Sequence, residues 1–201
     1  MMTQLSLTLS LRAIRNVVLA LVLLLPAIGH AAEWSIAQLM HDLAQAHPGH
    51  ASFIEKKSIA MLDKAVESSG ELFYSAPDHL EKRTLKPKPE SMVVTGNDLL
   101  IERGRKKYHL QLQDYPELAA FINSIRGTLA GDLKALERNY TLSLDGASEG
   151  WTLQLLPLDA KMQAVLRHIR VAGLRDQVRS IEIIQTDGDS SLMTIEKMEA
   201  P

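Results

Sequence analysis

The side chains best suited to chemistry are scattered along this 201-residue sequence, whereas its apolar side chains recur in patterns. Cysteine is absent, which removes disulfides, thiolate metal sites and thiol nucleophiles together. His41, His47 and His50 cluster after the first predicted helix, but His47-Pro48-Gly49-His50 matches no metal-ligand spacing, and Pro-Gly favours an irregular, solvated loop. His79, His109 and His168 fall in separate predicted strands. No Gly-x-Ser-x-Gly elbow, phosphate-binding glycine loop or His-Glu-x-x-His pair occurs. Glu55, Asp63 and Glu182 have no paired acid at a telling spacing. The expectation is therefore no enzyme, no metal and no cofactor. Basic residues are interleaved with acids and aromatics are few, which argues against nucleic acid as a partner. One charged feature stands apart. Arg103, Arg105, Lys106 and Lys107 share a tight predicted hairpin, a docking candidate for an acidic partner or anionic lipid head groups, with a solvated turn as the plain alternative.

The apolar residues carry more information. Arg12 and Arg15 precede an unbroken apolar run, Val17–Leu25, which Pro26 and Gly29 break. Gly29-His30-Ala31 then places small residues where a signal peptidase reads them. Residues 1–31 are thus expected to be a cleavable export signal. The alternative is a membrane anchor, but the uncharged run Asn16–Ala32 has 17 residues, the low edge of what spans a bilayer. Without a cysteine at the new N-terminus, lipid attachment is excluded. The remaining 170 residues, 32–201, suit one domain, with 20 Lys and Arg against 24 Asp and Glu.

Within that domain, Ser35-Ile36-Ala37-Gln38 has capping-box spacing, and Ile36, Leu39, Met40 and Leu43 predict an amphipathic helix over 36–46. Short strand-like runs follow at intervals of about ten residues: Phe53–Leu62, Glu71–Ser75, His79–Leu85, Ser91–Thr95, Leu99–Glu102 and Lys106–Leu112. Residues 116–138 interrupt them. Pro116 opens a helix whose stripe is Leu118, Phe121, Ile122, Ile125 and Leu129; Gly131 ends it, and Asp132 caps a shorter one. Strands resume at Tyr140–Leu144, Trp151–Leu155, Leu166–Ala172, Gln177–Gln185 and Leu192–Met198. Some eleven antiparallel strands should curl, leaving a concave face for these helices to cover.

At this point Gly70-Glu71-Leu72-Phe73-Tyr74-Ser75-Ala76-Pro77, then Pro87, Val93 and Gly96-Asn97-Asp98-Leu99, resemble the periplasmic outer-membrane lipoprotein carriers of the LolA family, as a divergent branch. Phe53 with Lys56 or Lys57, and Trp151-Thr152-Leu153-Gln154-Leu155-Leu156-Pro157, fit the same pattern. The resemblance implies a mainly β fold, an incomplete, strongly curved antiparallel barrel covered by an N-terminal helix and an inserted helical lid. It also implies a monomeric periplasmic carrier. Such a carrier takes acylated lipoprotein or lipid cargo from an inner-membrane exporter to an outer-membrane acceptor. The alternative is a sensor that binds such cargo without moving it.

Phe121, Ile122, Ile125 and Leu129 are then lid candidates, with permanent core as the alternative. Leu72, Tyr74, Leu80, Val93, Trp151, Leu153 and Leu155 are cavity-wall candidates, ordinary core packing being nearly as good an account. The chain departs from the family at two places. Ala76 stands where lipoprotein carriers have an arginine that hydrogen-bonds the lid, and Lys82 stands where they tend to have tryptophan. Lid control by that arginine does not carry over, and a specialised cargo is implied.

Overall fold

The computed structural model describes residues 34–46 and 49–198. The expected signal, its cleavage site and His47 lie outside them. Helix α1 (Ile36–Ala44) starts at Ser35, whose hydroxyl accepts from the Gln38 amide at 3.2 Å. Only half of the expected box forms, because the Gln38 side chain reaches forward to Asp42 at 2.8 Å. Leu39, Met40 and Leu43 are the buried face of this helix.

Six strands then run as a meander: β1 (Gly49–Ser58), β2 (Val66–Ser75), β3 (His79–Lys86), β4 (Glu90–Thr95), β5 (Asp98–Arg103) and β6 (Lys106–Gln111). A 3-10 turn (Leu112–Asp114) leads into α2 (Pro116–Leu129) and α3 (Leu133–Glu137). A second meander follows: β7 (Tyr140–Ala147), β8 (Gly150–Pro157), helix α4 (Ala160–Val165), β9 (Leu166–Leu174), β10 (Gln177–Gln185) and β11 (Ser190–Lys197). All eleven strands form one antiparallel sheet, ordered β6-β5-β4-β3-β2-β1-β11-β10-β9-β8-β7. The two meanders join where β1 pairs β11. The outer edges β6 and β7 do not pair, so the barrel stays open. The chain must therefore cross from one edge to the other between β6 and β7. Helices α2 and α3 make that crossing.

Three features depart most from the sequence reading. The first strand begins at Gly49 and ends at Ser58, because Lys57 already pairs with Val66 and the chain has to turn. Ile59 to Ala65 form the turn, and Met61 is 93% exposed. The second strand begins at Val66 rather than Glu71, so Ser68-Ser69-Gly70 lies inside β2. Gly70 faces Phe53 at a register shift between β2 and β3, and a Cβ there would come within 1.9 Å of the Arg83 carbonyl oxygen. Helix α4 was not anticipated. Its signal is Asp159, which accepts from the amides of Lys161 and Met162.

Two clusters fill the ends of the sheet. Under α1 and α3, Trp151, Leu153, Leu155, Ile169 and Val171 pack against Leu39, Met40, Leu43 and Leu136. Under α2, Val94, Leu99 and Leu112 pack against Ile122. Phe121 touches both clusters, so the two halves of the sheet wrap round the same helix. Helix α1 also packs closely on the turn after α2. Gly131 there has φ +65°, and a Cβ would lie 2.0 Å from the Met40 carbonyl oxygen. Only glycine takes both that conformation and that approach.

Candidate ligand-binding cavity

Residues paired directly across neighbouring strands share a face. Starting from Leu72, the register traces one inner row through Met92, Lys82, Leu72 and Ala51 to Lys197. A second passes through Leu99, Val94, Leu80 and Tyr74 to Gly49. Apart from Leu99, which is core under α2, these rows form part of the wall of a cavity of about 760 Å³, mostly apolar, between the central strands and α2. That volume lies within the usual range of small-ligand sites.

The lid candidates Phe121, Ile122, Ile125 and Leu129 all line this cavity from α2. Leu72, Tyr74 and Leu80 line it from the sheet. Four wall candidates do not. Val93 pairs with Glu81 on the outer face, while Met92 and Val94 point inward. Trp151, Leu153 and Leu155 are on the inner face but fully covered by α1, so they are permanent core. The indole of Trp151 also donates to the Arg175 carbonyl at 2.9 Å. The central strands β10 and β11, which sequence reasoning did not assign to the wall, contribute Ile181, Ile183, Met193 and Ile195.

Helix α2 is tied at two points. Arg126, on the helix itself, donates to the Gly96 carbonyl in the β4–β5 turn at 2.6 Å. Tyr140 on the opposite edge strand donates to the Ala120 carbonyl at 3.3 Å. Arg83 makes neither tie. It points outward, pairs with Glu81 and stacks over Phe73 at 4.6 Å.

A polar cluster stands on this mostly apolar wall. Lys82 forms an ion pair with Glu55, and Ser191 donates to the same carboxylate at 2.6 Å. The Lys82 ammonium also sits 4.9 Å over the Phe53 ring. Burial pushes the Glu55 carboxyl up. The hydrogen bonds from Lys82 and Ser191, with the charges of Lys82 and Lys57, outweigh burial and hold it below the usual carboxylate range. The Tyr74 hydroxyl, buried on the same wall, has no hydrogen-bond partner among the described residues. Burial raises its pKa, so it faces the cavity as a neutral phenol.

His79 bonds Thr95 and His109 bonds Asp98, both at 2.9 Å on the surface. Among the described residues no group of three His, Asp or Glu side chains could hold a metal. No helix among them is long and apolar enough to cross a membrane. The four basic candidates lie at the β5–β6 turn. Arg103 pairs with Glu90 and Lys107 with Glu102, while Arg105 and Lys106 are in no ion pair among the described residues.

An open antiparallel sheet curved round an apolar cavity, with a helix tied across it, defines a helix-covered half-barrel. The chain belongs to the family described as outer membrane lipoprotein carrier protein LolA-like, which matches residues 28–196. No curated protein sequence matches the chain. Among solved structures it is similar to a LolA superfamily protein from Nitrosomonas europaea, at 8% identity over 81% of this chain and 93% of that one, with a TM-score of 0.45. It is also similar to a chain of the Pseudomonas aeruginosa MucA/MucB complex, at 15% identity and a TM-score of 0.47. That match covers 83% of this chain but only 58% of the other. A DUF1329 family protein from Desulfovibrio piger is similar at 9% identity over 80% of this chain and 88% of that one, with a TM-score of 0.44.

Proposed function

We propose that the protein is exported to the periplasm, where it holds the acyl chains of a lipoprotein or free lipid in its cavity. It then carries them from an inner-membrane exporter to an outer-membrane acceptor. The observation that carries this reading is the cavity beneath α2, roofed by four apolar side chains of one tethered helix. Its chemistry suits acyl chains. Burying each methylene contributes about 0.8 kcal/mol, so a long chain binds without any directional contact. The same surface must be hidden when empty, and a helix that rests on both halves of the sheet does that. Family membership supports lipoprotein as the cargo class. The work is binding and release rather than bond chemistry.

The test is native mass spectrometry of protein purified gently from periplasm, followed by a transfer assay from acyl-loaded inner membranes to outer membranes. Co-purified acyl lipid or lipoprotein, and transfer that depends on the protein, are expected. Protein that is consistently empty and moves no acylated cargo would sink the reading. Binding without transfer would turn it into a sensor on the same fold.

A further inference from the structure

The register places five connections at one end of the sheet. The β1–β2 turn is there because Lys57 pairs with Val66. The β3–β4 and β5–β6 turns are there because Ser69 pairs with Lys86, Thr84 with Glu90, and Glu90 with Arg103. The β10–β11 turn and the α4 connection join them, since Ser58 pairs with Ser190 and Gln185 with Leu166. This end is unusually apolar for a surface. Met61, at 93% exposure, is the tip of the β1–β2 turn, and Leu62 beside it is half exposed. Leu85 near the end of β3, and Leu158 and Val165 on the β8–β9 connection, are half exposed. The tip is built rather than loose. Leu62 N–H donates to the Ile59 carbonyl at 2.8 Å, and Ala60 N–H donates to Asp189 across the end at 2.9 Å. Val165 both lines the cavity and faces solvent, so the apolar end is continuous with the cavity.

The β3–β6 flank of this end is basic, whereas the β1–β2 and β10–β11 turns carry Asp63, Asp187 and Asp189. The ends of β3 to β6 bear Lys86, Lys88, Arg103, Arg105, Lys106 and Lys107 against only Glu90 and Glu102. The rest of the chain shows the opposite balance, its whole formal charge being −2. We infer that this end docks on an anionic lipid bilayer. Met61 and Leu62 enter the head-group boundary, and Lys88, Arg105 and Lys106 rest on the lipid phosphates. A bilayer fits better than a protein partner because the apolar groups protrude on separate turns with cations beside them. Apolar tips with a basic flank are the two signals that together hold a protein at an anionic interface. The inference stands apart from the cargo, because docking needs no ligand in the cavity.

The test is co-sedimentation of the purified protein with vesicles of phosphatidylglycerol and phosphatidylcholine, against vesicles of phosphatidylcholine alone. Binding to the anionic vesicles alone, falling steeply between 0.1 and 1 M salt, is expected. M61S/L62S and R105E/K106E should each weaken it by roughly tenfold or more. Both variants lie on exposed turns, and thermal unfolding checks that they remain folded. Failure to bind anionic vesicles overturns the inference and leaves this end to a protein partner. Binding that neither variant changes overturns it equally. Neither result bears on acyl carriage, which the mass measurement reads separately.

Discussion

Lys82, Glu55 and Ser191 meet on a mostly apolar wall, and replacing one strands the others. K82M leaves a half-buried carboxylate short of its cation and is expected to cost about 1–3 kcal/mol in denaturant unfolding. The double variant K82M/E55L should recover most of that loss, because an apolar pair needs no compensation. The pH dependence follows from the direction of the Glu55 shift. A carboxyl held below its usual value stabilises the fold above the ordinary value of 4.5, and that stability fades as pH falls through the lowered one. The stability gap between the native protein and E55Q should therefore close on acidification below pH 4.5. Lys82 was visible in the sequence as a departure from the family, but its partner was not, since Glu55 is 27 residues away and only strand pairing brings them together. Val93 shows the limit within one strand. Met92-Val93-Val94 is apolar on both phases, so alternation could not say which side faces inward.

Helix α2 roofs the cavity and is held by few polar contacts. The Arg126 bond to the Gly96 carbonyl is charge-assisted, and losing such a bond costs about 1.5–3 kcal/mol. R126M should raise amide hydrogen exchange selectively over residues 116–129, by about ten- to a hundredfold, while β7–β9 keep their protection. Core and cavity should also separate by mutation. L153A, in the packed layer beneath α1, is expected to cost about 2–5 kcal/mol of stability. I125A, on the cavity roof, should weaken binding of a fluorescent apolar probe while costing less stability. The stripe of α2 was legible because its 3.6-residue period is unbroken from Leu118 to Leu129. Helix α4 was not, because six residues hold too few turns to show a period. The apolar run Ile59–Leu62 misled because local pattern carries no record of where the partner strand begins. The row Trp151, Leu153 and Leu155 showed its inner phase clearly, but nothing local told that α1 would cover it.

At the scale of the molecule, the seam between β1 and β11 unites two meanders that are each built from neighbours in sequence. Removing residues 190–201 deletes the strand that pairs with both β1 and β10. The expected outcome is loss of the single cooperative thermal transition followed by circular dichroism. Strand number and helix insertion were legible from turn spacing, and the open edge was implied by the family resemblance rather than by any residue. That open edge has a further consequence. In a closed barrel, strand number and tilt fix the internal diameter. Here no ladder of hydrogen bonds joins β6 to β7; the span between them is set by how α2 seats on each half. The bore can widen by flexing the sheet and sliding one helix, without breaking a single strand pair. A cavity made this way is elastic in girth, matched to a class of ligands rather than to one.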